Sequence, residues 1–553
     1  MRKDARDDGP GTLPYRRVLI ANRGEIAVRI LRACRDLHLE TVAVYSDADA
    51  QAAHVRLADQ AVRIGPPPPR ASYLNIDAIL AAAAATKADA VHPGYGFLSE
   101  RPAFARALLA AGMVFVGPSP AAIEALGDKL QARRLARDAG VPVVPGTLEP
   151  AAIERPDSVN GLVDEARAIG FPLLVKAAAG GGGRGMRRVT RAEDLPAALV
   201  DGAREAADAF GDGRVYLERE VAPARHIEVQ LLGDVGGRVI ALGERDCSLQ
   251  RRHQKLVEEA PAPGLSDGER RALHRLAVAV GEAAGLTNAA TAEFLRSPDG
   301  SFHFLEVNTR LQVEHGVTEL VTGVDIVREQ LLLAGGLPLS VGALAAAERP
   351  TPAGHAIEVR ISAEDPGHDF RPAPGLIRRW EMPEGDGIRV DTAVAAGERV
   401  PPEYDNLLAK LMVHGTDRDG AIERLGAALA RVEVAGIQTT LPFHRFVAGH
   451  PAFRSADLST GWVAEHWNGA AARRSVAELA RLAAALALTE DREHAAAEAG
   501  GDRAAGKPWN ALPGAEVGVD GDVLLVRADD GDGRGSAWAR AALEAGVDRW
   551  PTS

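Results

Sequence analysis

Cysteine is nearly missing from this chain of 553 residues: only Cys34 and Cys247 occur. No disulfide framework is therefore expected, and a reducing, cytoplasmic setting fits best. No apolar run approaches a membrane span, and the leader M-R-K-D-A-R-D-D-G-P-G-T-L-P-Y-R-R has no apolar core for a signal peptide. Excess positive charge is lacking as well. The net charge of −12 argues against nonspecific nucleic-acid binding and suggests no membrane surface. Nor does a G-x-G-x-x-G follow the first strand-like run, Val18-Leu19-Ile20-Ala21, so a dinucleotide site is not expected. What remains, 46% apolar and 25% charged, is the composition of an ordinary globular enzyme of several domains.

Short buried-strand patterns at 18–21, 41–45, 88–92 and 114–116 alternate with helical runs, predicting a doubly wound α/β start that ends near Gly127. Val141-Pro142-Val143-Val144-Pro145-Gly146 reads as a hinge. A strand over 171–177 then leads into Ala178-Ala179-Gly180-Gly181-Gly182-Gly183-Arg184-Gly185-Met186. Glycine at this density lets backbone N–H groups wrap a polyphosphate, and the framing Lys176 and Arg184 favour that reading over a flexible linker. His226 to Gln230 has strand character, while the charge-dense run 244–255 lacks a period and reads as a functional loop. Beyond 470 the chain is Ala-rich and helical in pattern, with a small hairpin expected around Val519-Asp520-Gly521-Asp522.

The most informative stretch is 302–319, F-H-F-L-E-V-N-T-R-L-Q-V-E-H-G-V-T-E. Glu306, Asn308, Arg310, Gln312 and Glu314 alternate with apolar or small residues, so an extended chain would project all of them to one face. Alternation alone would equally suit an edge strand with a solvated face. Upstream, Ser297-Pro298-Asp299-Gly300 is a turn sequence, and a hairpin through it places Glu293 opposite Phe304 and diagonal to Glu306. Neighbouring carboxylates repel unless a proton or a cation lies between them. The oxygen donors of Glu293, Glu306 and Asn308 favour a hard ion such as Mg²⁺, commonly shared with nucleotide phosphates. Arg310 then reads as an anion holder and Glu314 as a possible base.

Seven blocks carry a resemblance: I-A-N-R-G-E-I-A from Ile20, H-P-G-Y-G-F-L-S-E from His92, G-D-K from Gly127, K-A-A-A-G-G-G-G-R-G-M from Lys176, E-R-D-C-S-L-Q-R-R-H-Q-K from Glu244, E-V-N-T-R-L-Q-V-E-H from Glu306 and E-V-R-I-S-A-E-D-P from Glu358. In this order they resemble the biotin carboxylases of the ATP-grasp superfamily, the subunit type of acetyl- and propionyl-CoA carboxylases. The resemblance covers roughly 17–467. It implies an α/β (α+β) protein with an N-terminal doubly wound domain over 14–128, an ATP-grasp region over 129–330 with a lid at about 144–216, a C-terminal domain over 350–467 and a small tail over 468–553.

The same resemblance implies the roles of residues. ATP would meet Lys129, Lys176, the lid glycines Gly181, Gly182, Gly183 and Gly185 with Met186, then Glu218, Arg219 and Val221 at the adenine, and His226, Gln250, His253, Glu293 and Glu306. Bicarbonate would lie among Lys255, Arg310, Gln312, Val313 and Glu314. Mg²⁺ or Mn²⁺ would be held by Glu293, Glu306 and Asn308, and biotin by Tyr95 and Arg360. The implied reaction is attack of bicarbonate, deprotonated by Glu314, on the γ-phosphate of ATP to give carboxyphosphate. That intermediate carboxylates biotin, with Arg360 stabilising the enolate. Homodimerisation is expected on the same ground.

Two departures stand out. Gly316 follows His315 where many relatives have proline, which removes a backbone restraint beside Glu314, and Ala178-Ala179 stands where some have Ser-Gly. Longer relatives also carry a biotin domain marked by Met-Lys-Met. Here no methionine follows Met412 and Lys507 is the only lysine after Lys410, so biotin is expected on a separate carrier protein, with a carboxyltransferase subunit receiving the carboxyl group. The alternatives are another ATP-grasp ligase, such as a carbamoyl-phosphate or amino-acid ligase, and a non-catalytic nucleotide-binding scaffold. Lys255, Arg310, Glu314 and Arg360, all retained, speak against the scaffold.

Overall fold

Val18, Leu19 and Ile20, none of them solvent-exposed, form the centre of a parallel five-stranded sheet. Its strands are β1 (Arg17–Ile20), β2 (Glu40–Ser46), β3 (Gln60–Gly65), β4 (Ala90–His92) and β5 (Val114–Phe115), in the order β3-β2-β1-β4-β5. The order reverses between β1 and β4, so the carboxyl ends of these strands open a crevice of the kind that binds ligands in doubly wound sheets. The N-R-G-E and H-P-G-Y segments leave from these two ends, and Asn22 Nδ2 ties them by donating to the carbonyls of Pro93 and Tyr95, both at 2.7 Å. Gly94 has φ +64°, and a Cβ there would stand 2.8 Å from that amide, so glycine is required. The helix Gly24–Asp36 turns Ile26, Ile30, Leu31 and Cys34 into the core, where burial pushes the Cys34 thiol up to about 12.

This computed structural model describes residues 13–153, 156–178, 186–349 and 352–473, and the backbone of three strands beyond them. The chain divides into two units. The first comprises Met1–Val359, Met412–Ala421 and Ala456–Glu465; the second comprises Arg360–Leu411, Ile422–Ser455 and His466–Ser553.

Within the first unit a small antiparallel sheet of β6 (Leu173–Ala177), β7 (Arg187–Val189) and β8 (Val215–Arg219) packs Leu173, Val175, Val189, Val215 and Leu217 against Leu162, Leu195 and Leu199 of two helices. The part of the larger antiparallel sheet that lies wholly in this unit runs β13 (Phe302–Asn308), β12 (Asn288–Arg296), β9 (Arg225–Gly233), β10 (Val239–Arg251), β11 (Gln254–Ala260). The run 244–255 is thus no loop. It forms the end of β10 and the start of β11, joined by a turn with Arg252 and His253 at φ +50° and +66°. Central strands are covered on both faces, and here Glu244, Arg245, Asp246, Ser248 and Gln250 are all buried, the first four with partnered side chains, which erases the period expected of a half-exposed strand.

The predicted hairpin forms, but in another register. Its turn occupies 297–301, closed by the Ser297 N–H on the Ser301 carbonyl at 2.9 Å. Phe294 pairs with Phe304, Leu305 is skipped as a bulge, and Glu293 falls directly opposite Glu306. The packed rings of Phe294 and Phe304, 5.9 Å apart, fix that register. The extended run also stops early. β13 ends at Asn308, residues 309–314 form a loop, and a helix starts at His315. Arg310, Gln312 and Glu314 are therefore placed by the loop and not by strand alternation.

In the second unit, the strand pair Arg379–Glu381 and Glu433–Ala435 and the helix Leu441–Gly449 accompany an aromatic cluster of Phe370, Phe443, Phe446 and Trp467. The carbonyl of Arg360 accepts from Thr440 Oγ1 and His444 Nε2, each at 2.7 Å. Beyond residue 473 the described backbone is an antiparallel sheet of Glu516–Asp520, Val523–Arg527 and Trp538–Ala541. It contains the expected hairpin and a third strand that the sequence did not suggest. The expected Ala-rich helix lies outside the described residues. Among the described residues, no helix is long and apolar enough to cross a membrane.

Candidate functional site

Lys255, near the start of β11, points its ammonium at three buried carboxylates. Nζ donates to Glu228 Oε2 at 2.5 Å, Glu314 Oε1 at 2.7 Å and Glu293 Oε1 at 2.9 Å. Burial opposes its charge, but these three partners outweigh it and hold the ammonium well above its ordinary pKa. Glu228 is shared: Arg245 Nε donates to its other oxygen at 2.5 Å, while Arg245 Nη1 reaches Gln230 and Thr318, both at 2.9 Å. A fully buried guanidinium thus anchors the carboxylate that anchors Lys255. Cys247 lies beside this cluster, where burial pushes its thiol well up, so it packs as a small hydrophobe and not as a thiolate.

Glu293 gathers four of the predicted groups. Besides Lys255, it accepts from Asn308 Nδ2 at 2.8 Å and Gln312 Nε2 at 3.2 Å, and His226 Nε2 lies 3.1 Å from its Oε2. Burial opposes its charge too, yet Lys255 and His226 hold its carboxyl far below the usual range. For His226, burial is overcome by the same carboxylate, which raises the imidazole. Across the ladder, Glu306 accepts from Lys129. The opposed carboxylates therefore hold one ammonium each, and their oxygens are the donor type that suits a hard divalent cation. One predicted donor is turned otherwise: Asn308 offers its amide nitrogen to Glu293 and its oxygen to Arg310 Nη2 at 3.1 Å.

The loop 309–314 is fastened from the N-terminal domain. Glu100, the last residue of H-P-G-Y-G-F-L-S-E, accepts from the Thr309 N–H at 3.1 Å and from Arg310 Nε at 2.9 Å. Arg310 also donates to Gln312 Oε1 at 3.0 Å. Glu314 then stands as the N-cap of the helix His315–Thr322 without capping it, its carboxylate spent on Lys255. Val313, in the same loop, is half-buried.

Nearer the lid, Glu218 on β8 is buried between Arg133 and Lys176, both of which donate to it. These cations overcome burial and lower its carboxyl. Its side chain is thus engaged by two cations. The Arg219 N–H bonds the Pro145 carbonyl at 2.7 Å, and Val221 follows directly. Gln250 is buried on β10. His253 sits at the exposed turn, where desolvation, Lys176 and His226 lower its pKa. Tyr95 donates its hydroxyl to Glu25. Met186 precedes β7, whereas Gly181, Gly182, Gly183 and Gly185 lie outside the described residues, and Arg360 belongs to the second unit. Sequence reasoning missed Glu228, Glu100, Arg133 and Arg245. Glu228 was within reach, two residues after His226 on one strand face; Arg133 gave no signal, being one of several arginines on a helix.

These groups, an engaged carboxylate beside a lysine and an arginine with paired acids behind, suit deprotonation and anion stabilisation. Comparison with known proteins agrees. Family models described as "Biotin carboxylase, N-terminal domain", "Carbamoyl-phosphate synthase L chain, ATP binding domain" and "Biotin carboxylase C-terminal domain" match 14–123, 128–341 and 358–465. A biotin carboxylase of Halalkalibacterium halodurans is 48% identical over 82% of this chain and 98% of its own. A propionyl-CoA carboxylase alpha chain of Ruegeria pomeroyi is 43% identical over 94% of this chain and 79% of its own. Among solved structures, the biotin carboxylase domain dimer of Hydrogenobacter thermophilus 2-oxoglutarate carboxylase, in complex with MgADP, ADP and bicarbonate, is 41% identical with a TM-score of 0.77, covering 82% of this chain and 98% of that one. The middle model is named for another ATP-dependent enzyme, but the models on both sides, and relatives matched over nearly their full length, decide the matter: the chain belongs to the biotin carboxylase family.

Proposed function

We propose that this chain carries out the first half-reaction of a biotin-dependent carboxylase, using ATP and bicarbonate to carboxylate biotin borne on a separate carrier protein. The observation that carries this reading is the convergence of Glu314, Lys255 and Arg310 in one buried cluster behind which Glu293 and Glu306 face each other. Glu314 removes the proton of bicarbonate, whose oxygen then attacks the γ-phosphorus of ATP while the bond to ADP breaks. Lys255 and Arg310 hold the anion, and Lys129 and Lys176 lie along the phosphates. When bound, Mg²⁺ at Glu293, Glu306 and Asn308 would supply charge neutralisation to the transferring phosphoryl group. Breakdown of the resulting carboxyphosphate gives CO₂ and phosphate; phosphate takes the ureido proton of biotin, Arg360 stabilises the enolate and Tyr95 packs by the ring.

Biotin carboxylase subunits work with a carrier and a carboxyltransferase, and we assign this chain such partners and a homodimeric state. The alignment with the propionyl-CoA carboxylase alpha chain takes in 94% of this chain, which supports an acyl-CoA carboxylase as the assembly.

The test is ADP release by the purified chain with Mg²⁺, with and without bicarbonate and free biotin, beside Glu314→Gln. Stimulation by both, lost in the variant, is the expected result. Hydrolysis indifferent to both but raised by ammonia or an amino acid would assign the chain to another ATP-grasp activity.

A further inference from the structure

Gly316 is in the first turn of the helix His315–Thr322, two residues after Glu314, and it is buried. A Cβ at this position would overlap Sδ of Met412 and stand 3.4 Å from both Met412 Cε and Glu358 Oε2. Met412, in the strand Leu407–Gly415, is fully buried, so its thioether occupies the space that a side chain at 316 would take. Both residues belong to the first unit. Glycine by itself leaves this turn with more backbone freedom than any other residue would. The first turn of a helix also lacks intrahelical partners for its N–H groups. An unbranched thioether is well shaped to fill such a notch.

We propose that Met412 is a positioning residue for Glu314: its thioether, seated on Gly316, holds the helix turn from which the Glu314 carboxylate reaches Lys255. The pair works as a volume exchange, a long side chain on the strand against none on the helix. This inference rests on the reading of Glu314 as the base. Expectation from sequence had the glycine loosening that carboxylate; the packing supplies sterically what the backbone gives up.

The test compares Met412→Ala, Met412→Leu, Gly316→Ala and the double variant Gly316→Ala/Met412→Ala in bicarbonate-dependent ADP release, with kcat followed from pH 5.5 to 8.5 and melting temperature measured for each. Opening the notch in Met412→Ala lowers kcat on the order of 10- to 100-fold, as misplacement of a catalytic group does, with KM for ATP little changed and the acid limb displaced. Met412→Leu refills the notch and retains most activity. Gly316→Ala alone is impaired because two groups then claim one space, and the double variant recovers at least tenfold over Met412→Ala. A folded Met412→Ala with unchanged kcat and acid limb overturns the proposal, as does strict additivity in the double variant. If Met412→Ala does not fold, Gly316→Ala and the double variant decide the same question. Glu314→Gln, run alongside, separates the two ideas: if it retains activity the base assignment fails, whereas a dead Glu314→Gln with indifferent Met412 variants rejects only the positioning role.

Discussion

Glu100 holds Arg310 by a charge-assisted hydrogen bond of 2.9 Å while its other oxygen caps the Thr309 N–H, so one carboxylate from the N-terminal domain fixes both the start and the first charged side chain of the 309–314 loop. Hydrogen bonds to charged groups contribute about 1.5–3 kcal/mol. Glu100→Gln keeps the shape and removes the charge. With Arg310 as an anion holder, kcat/KM for bicarbonate should fall about 10- to 100-fold while KM for ATP stays near its original value. Unaltered bicarbonate saturation would mean that Arg310 needs no such support.

Lys255 makes a prediction about pH. In Lys255→Met, Glu228, Glu293 and Glu314 lose their shared cation. Lys255 is the foremost of the groups keeping the Glu293 carboxyl low against burial, so its removal raises that carboxyl. A depressed carboxylate stabilises the fold above its unfolded pKa and loses that contribution as pH falls through the folded value. The variant should therefore be inactive and less stable at pH 7, by about 3–5 kcal/mol for a broken buried pair. The deficit should shrink towards pH 4 as the Glu293 carboxyl, raised in the variant, takes up its proton. Urea unfolding of both proteins at the two pH values checks this, and a deficit independent of pH would count against the charge argument.

Much of this was legible in the sequence, and the failures share a cause. The parallel sheet was visible because Val18-Leu19-Ile20 is an apolar run between turn signals, a local pattern. The polar strand β10 was not, because Glu244, Arg245 and Asp246 are buried against partners distant in sequence: Arg270 and His274, Glu228, and Arg225. The Glu293–Glu306 pairing was missed by one bulge at Leu305, a feature decided by how Phe294 and Phe304 pack and not by turn chemistry. Glu314 was expected on one face of a strand, whereas a loop and a helix start place it beside Lys255.

Arg133 offers a test of the lid root. It is fully buried, donates to Glu218 and also to the Val144 carbonyl at 2.7 Å, where the lid is expected to begin. Arg133→Met leaves that carbonyl without this donor and Glu218 with Lys176 as its remaining direct ion-pair partner. Stability should drop by about 3–5 kcal/mol, as for one partner removed from a buried pair. Because Lys176 is then held harder by Glu218 and less free for phosphate, KM for ATP should rise. Denaturant unfolding and ATP titration measure the two effects separately; lost stability with unchanged ATP saturation would confine Arg133 to the fold.

The final prediction concerns His92, the first residue of H-P-G-Y-G-F-L-S-E. It is fully buried at the end of β4, and its Nδ1 accepts the Gly94 N–H at 3.0 Å. Burial, opposed by Gln330, depresses its pKa to about 3. Its unfolded value lies near 6.5. Between these values the unfolded chain binds a proton that the folded chain refuses, so stability falls as pH drops below 6.5, at up to about 1.4 kcal/mol per unit. From pH 7.5 to 5 this amounts to about 2 kcal/mol from His92 alone. His92→Gln retains an acceptor for Gly94 and cannot titrate, so its stability should decline less over the same interval. His54, buried and depressed to about 4, keeps its own share of the acid sensitivity in both proteins. Equal declines in the two proteins, read from urea midpoints at pH 7.5 and 5, would show that His92 is not the group responsible.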